Sequence, residues 1–155
     1  MKKLVSLVLV AVLMLTCVAL AEGAVPSPTV KDLLSLETSS LYGTEIVLSD
    51  VDAEVAATLE QEALALDGVD PSFTLKEAFG IATENFAAND SCMVKFEMVS
   101  PFADDEPLNV AVKADADWTL IPAVAENGKV IAYFNAAVLE AINNASESYI
   151  AFLSK

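Results

Sequence analysis

The sequence predicts an α+β domain in which a helical N-terminal part precedes a small, mostly antiparallel β-sandwich. Three observations predict it. Apolar residues recur at helical spacing from Val51 to Leu66, apolar and polar residues alternate in several segments after Pro71, and Asn127-Gly128 joins two apolar arms. The first pattern is typical of an amphipathic helix, and the other two are typical of strands and of a tight hairpin.

Residues 1–21 have the pattern of a secretory signal peptide. Two lysines precede an uncharged apolar run, and Ala19-Leu20-Ala21 forms an A-x-A site before Glu22. A basic start, a short apolar block and small residues before the cleavage point are the parts of such a peptide. The alternative is a membrane anchor, because a run of this length approaches a bilayer span. The small residues at the end of the run favour cleavage between Ala21 and Glu22. A signal peptide that begins with lysines is typical of bacteria.

Cleavage would leave a flexible leader at residues 22–29 and a single globular domain at residues 30–155. The leader contains two prolines and no apolar periodicity. We expect a helical part at about 30–70 and a β-rich part at about 71–155. The predicted location is secreted or otherwise extracytoplasmic, and the sequence leaves retention at the cell surface open.

The helical part is predicted around one long helix. Its apolar residues between Val51 and Leu66 fall on one face at spacings of three and four. Ser49 or Asp50 can cap its N-terminus, and Gly68 lies just past its end. The preceding residues 44–50 have the pattern of a brief extended piece.

The β-rich part is predicted to hold about six strands and one short helix. That helix, at residues 135–144, has Asn135 as a cap and precedes the last strand. The segment at 72–79 fits either a strand or a helical turn. The strand segments are 92–100, 108–118, 119–125, 130–134 and 146–154.

The hairpin around Asn127-Gly128 is predicted to lie at the centre of the fold. Both residues accept positive φ, which suits a type I′ turn with Ala125 opposite Val130. Both faces of its arms are apolar, so it should be buried on both sides.

Trp118, the only tryptophan, is predicted to be a core anchor. An exposed sugar-binding platform with Tyr133 is the alternative, but the face that they share is apolar and unfavourable to leave in water. Asp115 and Asp117 are predicted on the exposed face of the same strand.

The acidic loop residues Asp104, Asp105 and Glu106 are weak candidates for a calcium site, because hard cations need only oxygen ligands. Acidic residues at a loop tip are also common for plain solubility, which is the favoured interpretation. A second acidic run, at residues 50–54, lacks the glycine and glutamate of an EF-hand loop. There the acids are expected to complement the dipole of the helix.

Composition excludes several functions. Without Lys2 and Lys3, six lysines remain against 23 Asp and Glu, which gives a net charge near −17. So acidic a chain repels phosphate backbones, which excludes nucleic acid, and it favours solubility or cationic partners. No stable membrane span is expected after signal cleavage.

The missing residue types restrict the chemistry further. The chain contains no His and no Arg, which excludes Ser-His-Asp and Cys-His catalysis, His-ligated zinc and bidentate Arg clamps. No S-x-x-K motif follows the signal peptide. We therefore predict a protein that is not an enzyme and has no cofactor.

Cys92 is the one cysteine that remains after cleavage, so an intramolecular disulfide is excluded. Its thiol is either a buried apolar group or free to pair between chains. Burial is predicted, because the surrounding segment alternates as a strand.

Three segments, "VKFEMV", "DWTLIPAVAENGKVIAYF" and "SYIAFL", resemble small exported proteins of anaerobic Gram-positive bacteria. They are also similar to Ig-like sandwich modules in surface proteins of such bacteria. The resemblance covers about residues 71–153 and implies an Ig-like scaffold. It transfers no catalytic or binding residue.

These observations together predict a secreted, non-enzymatic binding or interaction module. Its partner would be another protein or a cell-surface glycan. A carbohydrate- or calcium-binding extracellular module is the alternative. A hydrolase that uses two carboxylates is a second alternative, and it requires two Asp or Glu about 5–10 Å apart in a cleft.

Overall fold

A computed structural model describes residues 30–155, in which nine strands form two antiparallel sheets. The strands are β1 (Leu33–Ser40), β2 (Glu45–Asp50), β3 (Thr74–Glu84), β4 (Cys92–Met98), β5 (Leu108–Ala114), β6 (Asp117–Ile121), β7 (Ala123–Glu126), β8 (Lys129–Phe134) and β9 (Ser148–Ser154). The helices are α1 (Ala53–Leu64) and α2 (Ala136–Asn144). One sheet has the order β1-β4-β8-β7, and the other has the order β2-β3-β9-β5-β6.

The predicted fold class is wrong. Strands make up 48% of the described residues and helices only 17%, so the domain is mostly β and not α+β. The part predicted to be helical, residues 30–70, begins with β1 and β2, and the prediction of an N-terminal helix before an Ig-like sandwich of about six strands does not hold. A register shift between Leu33 and Ser35 breaks the alternation in β1, which hides this strand from a period-two pattern.

The signal peptide predicted at residues 1–21, its cleavage between Ala21 and Glu22 and the leader at 22–29 lie outside the described residues. Within residues 30–155, neither helix has the length and apolar character needed to cross a membrane.

The main core lies between the facing sides of the two sheets. At its centre the ring of Phe152 packs edge-on against Phe79 in its own sheet, at a centroid distance of 6.1 Å. It also packs edge-on against Phe96 of the other sheet, at 5.0 Å. All three rings are buried. Phe152 therefore joins the two sheets directly.

The helix α2 closes one end of this core. Asn135 caps it as predicted, by accepting a hydrogen bond from the Val138 N–H, and the apolar side of the helix is buried. The strand registers place the turns that join β1 to β2, β3 to β4 and β5 to β6 at the same end. This α2 end comprises residues 41–45, 84–92, 114–117 and 134–148. The opposite end of the sandwich carries the Asn127-Gly128 turn and the C-terminus.

The helix α1 covers part of the outer face of the five-stranded sheet. Its N-cap is Asp52, which accepts a hydrogen bond from the Val55 N–H. The predicted caps Ser49 and Asp50 are still paired with β3, so the helix cannot begin there. Beneath α1 a second, smaller core cluster is formed by Ala63, Phe73, Ala151 and Leu153, against which Leu64, Leu75 and Trp118 pack.

The segment predicted as one strand at 108–118 is instead a hairpin of β5 and β6, with Ala114 opposite Asp117. Asp115 takes a φ of 52°, a left-handed conformation that Asp tolerates better than most residues. Its carboxylate accepts hydrogen bonds from the Ser146 hydroxyl at 2.7 Å and from the N–H groups of Ser146 and Glu147. Asp115 and Asp117 therefore do not share a strand face.

The hairpin of β7 and β8 has the predicted register, with Ala125 opposite Val130. Asn127 and Gly128 take φ values of 54° and 74°, as a type I′ turn requires. Before this hairpin, at Pro122, the chain leaves β6 in the five-stranded sheet and enters β7 in the four-stranded sheet. Residues 119–125, the first predicted arm, therefore contribute to both sheets, whereas β8 lies in the four-stranded sheet alone. The predicted burial of both faces at the centre of the fold is wrong, because β7 is an edge strand and Val124 and Tyr133 are exposed.

Candidate functional site

The carboxylate of Asp90 is fully buried, with 0% of the residue exposed. It lies at the α2 end, between β3 and β4. Its Oδ1 accepts hydrogen bonds from the N–H groups of Leu41 at 2.9 Å, Tyr42 at 3.1 Å and Ser91 at 2.8 Å, and its Oδ2 accepts one from Thr44 at 3.0 Å. No lysine of residues 30–155 forms a salt bridge with it.

Burial opposes ionisation of Asp90, because a carboxylate loses its hydration in the protein interior. Hydrogen bonds from Thr44, Ser91 and Leu41 outweigh this effect and lower the pKa of Asp90 to about 2. The group is thus a buried anion held by backbone dipoles, as in the N–H nests that bind anions elsewhere.

This anion fixes the connection between β1 and β2, residues 41–44, which we call the tip. Gly43 takes a φ of 95°, and its N–H donates to the Ser40 hydroxyl at 2.9 Å. The hydroxyl of Thr44 accepts a hydrogen bond from the Ala87 N–H at 3.0 Å. Every N–H group of the tip therefore donates to a side chain of the protein, which makes its backbone rigid.

The rigid tip holds two apolar side chains in solvent. Leu41 is 71% exposed and Tyr42 is 66% exposed, the highest values among the large hydrophobic residues from 30 to 155. Large apolar side chains on a fixed backbone lose little conformational freedom on binding. The tip is therefore suited to contact with a partner.

The outer face of the four-stranded sheet is a second exposed surface. Neither helix packs on it, since α1 contacts β3 and β9 while α2 contacts β3 and β5. Met93, Val124 and Tyr133 are exposed there. Ion pairs on this face join Lys95 to Glu37 at 3.8 Å, Lys129 to Glu37 at 3.7 Å and Lys129 to Glu97 at 3.5 Å. Such exposed pairs contribute little to stability.

A β-bulge in β3 lies between two clefts. A register shift between Leu75 and Glu77 marks the bulge, and each cleft has a volume of about 340 Å³. Both clefts are lined by Leu75, Lys76 and Glu77. One cleft is also lined by Asp32, Asp50 and Asp52. The other is also lined by Ser100, Pro101, Phe102 and Glu106. Bulges often redirect a side chain toward a functional site.

Glu77 is half-buried at this bulge and lies opposite Phe152 in the strand register. Burial, followed by the charge of Asp32, raises the pKa of Glu77 above its ordinary value. Carboxyl groups in one cleft, of which one resists ionisation, are an arrangement from which acid–base chemistry can be built.

Two of the predicted calcium ligands, Asp104 and Glu106, accept hydrogen bonds from other groups of the protein. The two carboxylate oxygens of Glu106 accept hydrogen bonds from the Ser154 hydroxyl at 2.7 Å and from the Ala103 N–H at 2.8 Å. Asp104 accepts one from the Gly128 N–H at 3.4 Å, and Asp105 takes a φ of 57° in the turn. From Val30 onward, no group of three or more His, Cys, Asp or Glu is arranged to hold a metal ion.

Trp118 was predicted to be a core anchor, and it packs against the smaller core cluster without being fully buried. It is half-buried under α1, where its Nε1 donates to Glu62 Oε2 at 3.0 Å and Lys113 lies over its ring at 5.8 Å. Lys113 also pairs with Glu62, so the three side chains join α1 to the sheet. Tyr133 lies on the other sheet, and the two aromatic residues therefore form no common platform.

The burial predicted for Cys92 is confirmed, since the residue is buried beside Asp90. Burial, and then the charge of Asp90, raise the pKa of Cys92 to about 12. A thiol in this state is unreactive near neutral pH.

Comparisons of this chain with protein-family models, with curated proteins and with solved structures found no match. The tip and Asp90, which sequence reasoning missed, are therefore interpreted from their own geometry. One signal for the tip was available: Leu41-Tyr42 directly precedes Gly43, although turns are normally polar. No local pattern marks Asp90, because its partners lie up to 49 residues away.

Proposed function

We propose that this protein is an exported, non-enzymatic binding module that recognises another protein through the tip. One observation carries the proposal. Leu41 and Tyr42, the most exposed large hydrophobic side chains from 30 to 155, stand on a backbone held by a buried carboxylate. Export is proposed from the signal-peptide pattern at residues 1–21.

The physical argument rests on what the tip offers to a partner. Tyr is enriched among the residues that dominate protein–protein binding, and a fixed loop avoids the entropy cost of ordering. Burying a side chain such as Leu or Tyr contributes about 1.5–3 kcal/mol. Two such contacts therefore change an affinity by about two to four orders of magnitude.

The proposal is tested by affinity capture with the double variant L41S/Y42S. Protein beginning at Glu22 is immobilised and exposed to the extracytoplasmic fraction of its source cells, and the affinity of the recovered protein is measured by biolayer interferometry. We expect the variant to bind at least about 100-fold more weakly than the parent protein, with an unchanged melting midpoint because both side chains face solvent.

The matched control is the double variant M93S/V124S, which removes two exposed apolar side chains from the outer face of the four-stranded sheet. It should bind like the parent protein. If L41S/Y42S binds normally, the tip is not the site, and a loss confined to M93S/V124S would place binding on the sheet.

Hydrolysis by two carboxylates is a second candidate function, supported by Glu77 with its raised pKa in a cleft that Asp32 also lines. Chromogenic glycosides and peptides are the substrates for the assay. If the protein is such a hydrolase, Glu77→Gln should abolish turnover. Glu126→Gln is the control and should leave turnover unchanged, because Glu126 is exposed outside both clefts. If the parent protein turns over none of them, this candidate is contradicted.

A further inference from the structure

We infer that the tip binds a cationic protein surface, on which an apolar patch for Leu41 and Tyr42 is bordered by Lys or Arg. This inference rests on the proposed function, because it names the chemistry of the partner at the same site. It is drawn from the charges of the α2 end, on which the tip lies.

Every charged side chain of the α2 end is a carboxylate. Asp90 is buried and held by the tip, whereas the others are exposed. The exposed members are Glu45, Glu84, Asp115, Asp117, Glu140 and Glu147. A surface that presents two apolar side chains among charges of one sign is complementary to an apolar patch bordered by the opposite sign.

The lysines of the described chain lie elsewhere. Lys95 and Lys129 form ion pairs on the outer face of the four-stranded sheet, and Lys113 is paired with Glu62 under α1. Lys31 and Lys76 line the cleft beside the bulge, and Lys155 is the last residue. From Val30 to Lys155, the chain therefore supplies no cation to the surface around the tip.

A second observation concerns the pair that borders the tip most closely. Glu45 at the start of β2 lies directly opposite Glu84 at the end of β3, and both are exposed. Like charges directly opposite each other in a sheet are destabilising. No salt bridge within residues 30–155 compensates either one. A cationic group of a partner placed between them would relieve this repulsion.

Other ligands use only part of this surface. A metal ion would have no use for Leu41 and Tyr42, and no group of three or more acidic side chains in this part of the chain is arranged to hold one. Anionic membranes and nucleic acids would be repelled by the carboxylates. A cationic protein surface with an apolar patch uses both features, and we assign it as the partner.

The test uses fluorescein-labelled ten-residue peptides as probes, in which Leu alternates with Lys in one and with Glu in the other. Fluorescence anisotropy with the chain beginning at Glu22 gives the dissociation constants. We expect the Leu-Lys peptide to bind at least about tenfold more tightly than the Leu-Glu peptide, with an affinity that falls as salt is added.

Removal of the charges beside the tip is tested with E45Q/E84Q, which should weaken binding of the Leu-Lys peptide about tenfold or more. The matched control E54Q/D67N removes two exposed carboxylates near the ends of α1 and should change the affinity less than about twofold. Melting curves should show E45Q/E84Q to be at least as stable as the parent protein.

Equal binding of both peptides, or equal effects of the two double variants, would overturn the cationic partner. If a protein captured by the tip loses binding in L41S/Y42S but keeps it in E45Q/E84Q at all salt concentrations, the inference fails and the proposed function stands. If neither variant affects the captured protein, both fail.

Discussion

Replacing Asp90 with Asn is expected to lower the melting midpoint of this domain by about 10 °C or more. An amide at this position cannot accept all four of the N–H hydrogen bonds that the carboxylate accepts. Its NH₂ group is itself a donor and would point at backbone N–H groups, which are also donors. Circular dichroism melting measures the shift. Hydrogen exchange should also show faster exchange of the Leu41, Tyr42 and Thr44 amides in D90N.

The matched control is Asp104→Asn, which makes the same chemical change at an exposed carboxylate with one hydrogen bond of 3.4 Å. Its midpoint should move by less than about 2 °C. Equal melting of D90N and D104N, or unchanged exchange at the tip, would contradict the role of Asp90 as the anchor of the tip.

The same residue makes stability depend on acid pH. Folding lowers the pKa of Asp90 from 3.8 to about 2, so between these values the unfolded chain binds more protons than the folded chain. The stabilisation is therefore complete above about pH 5 and is lost as the pH falls toward 2. The difference in stability between the parent protein and D90N should shrink over this range.

Replacing Phe152 with Ala is expected to lower the free energy of unfolding by about 3–5 kcal/mol, the usual cost of deleting a buried phenylalanine. The ring is fully buried and makes edge-on contacts with Phe79 and with Phe96 of the other sheet. Its loss leaves a cavity that packed sheets cannot close. Urea denaturation followed by circular dichroism measures the change.

The conservative variant F152L should lose about half as much, because leucine keeps much of the volume but not the aromatic contacts. Tyr133→Ala, at an exposed position of the same domain, should cost less than about 1 kcal/mol. A loss below about 1.5 kcal/mol in F152A would show that other contacts hold the two sheets together.

Local elements were predicted well from the sequence. The helix α2 with its Asn135 cap, the type I′ turn at Asn127-Gly128 and the alternating strand β4 all depend on residues within a few positions of one another. The chemistry of a cap, a turn or an alternating strand is visible in so short a segment.

Elements that depend on distant partners were predicted poorly. The strand β1 has a bulge and lies at a sheet edge, so its alternation is incomplete. The turn at Asp115-Ala116 lacks Gly or Asn and is stabilised by Ser146 and Glu147, about thirty residues later in the chain. Trp118 was predicted as a core anchor but is only half-buried, and its hydrogen bond to Glu62 of α1 could not be predicted because that residue is 56 positions away.

The amino-acid sequence alone was enough to exclude chemistry that needs His or Arg, to predict the burial of Cys92 and to predict the short elements whose signals are local. Contacts between distant residues settled the rest: the mostly β class, the passage from one sheet to the other at Pro122 and the tip. Asp90 is the clearest case. An aspartate in a polar segment has the pattern of a solvated charge, and only its burial against the N–H groups of Leu41, Tyr42 and Thr44 makes it the anchor of the tip.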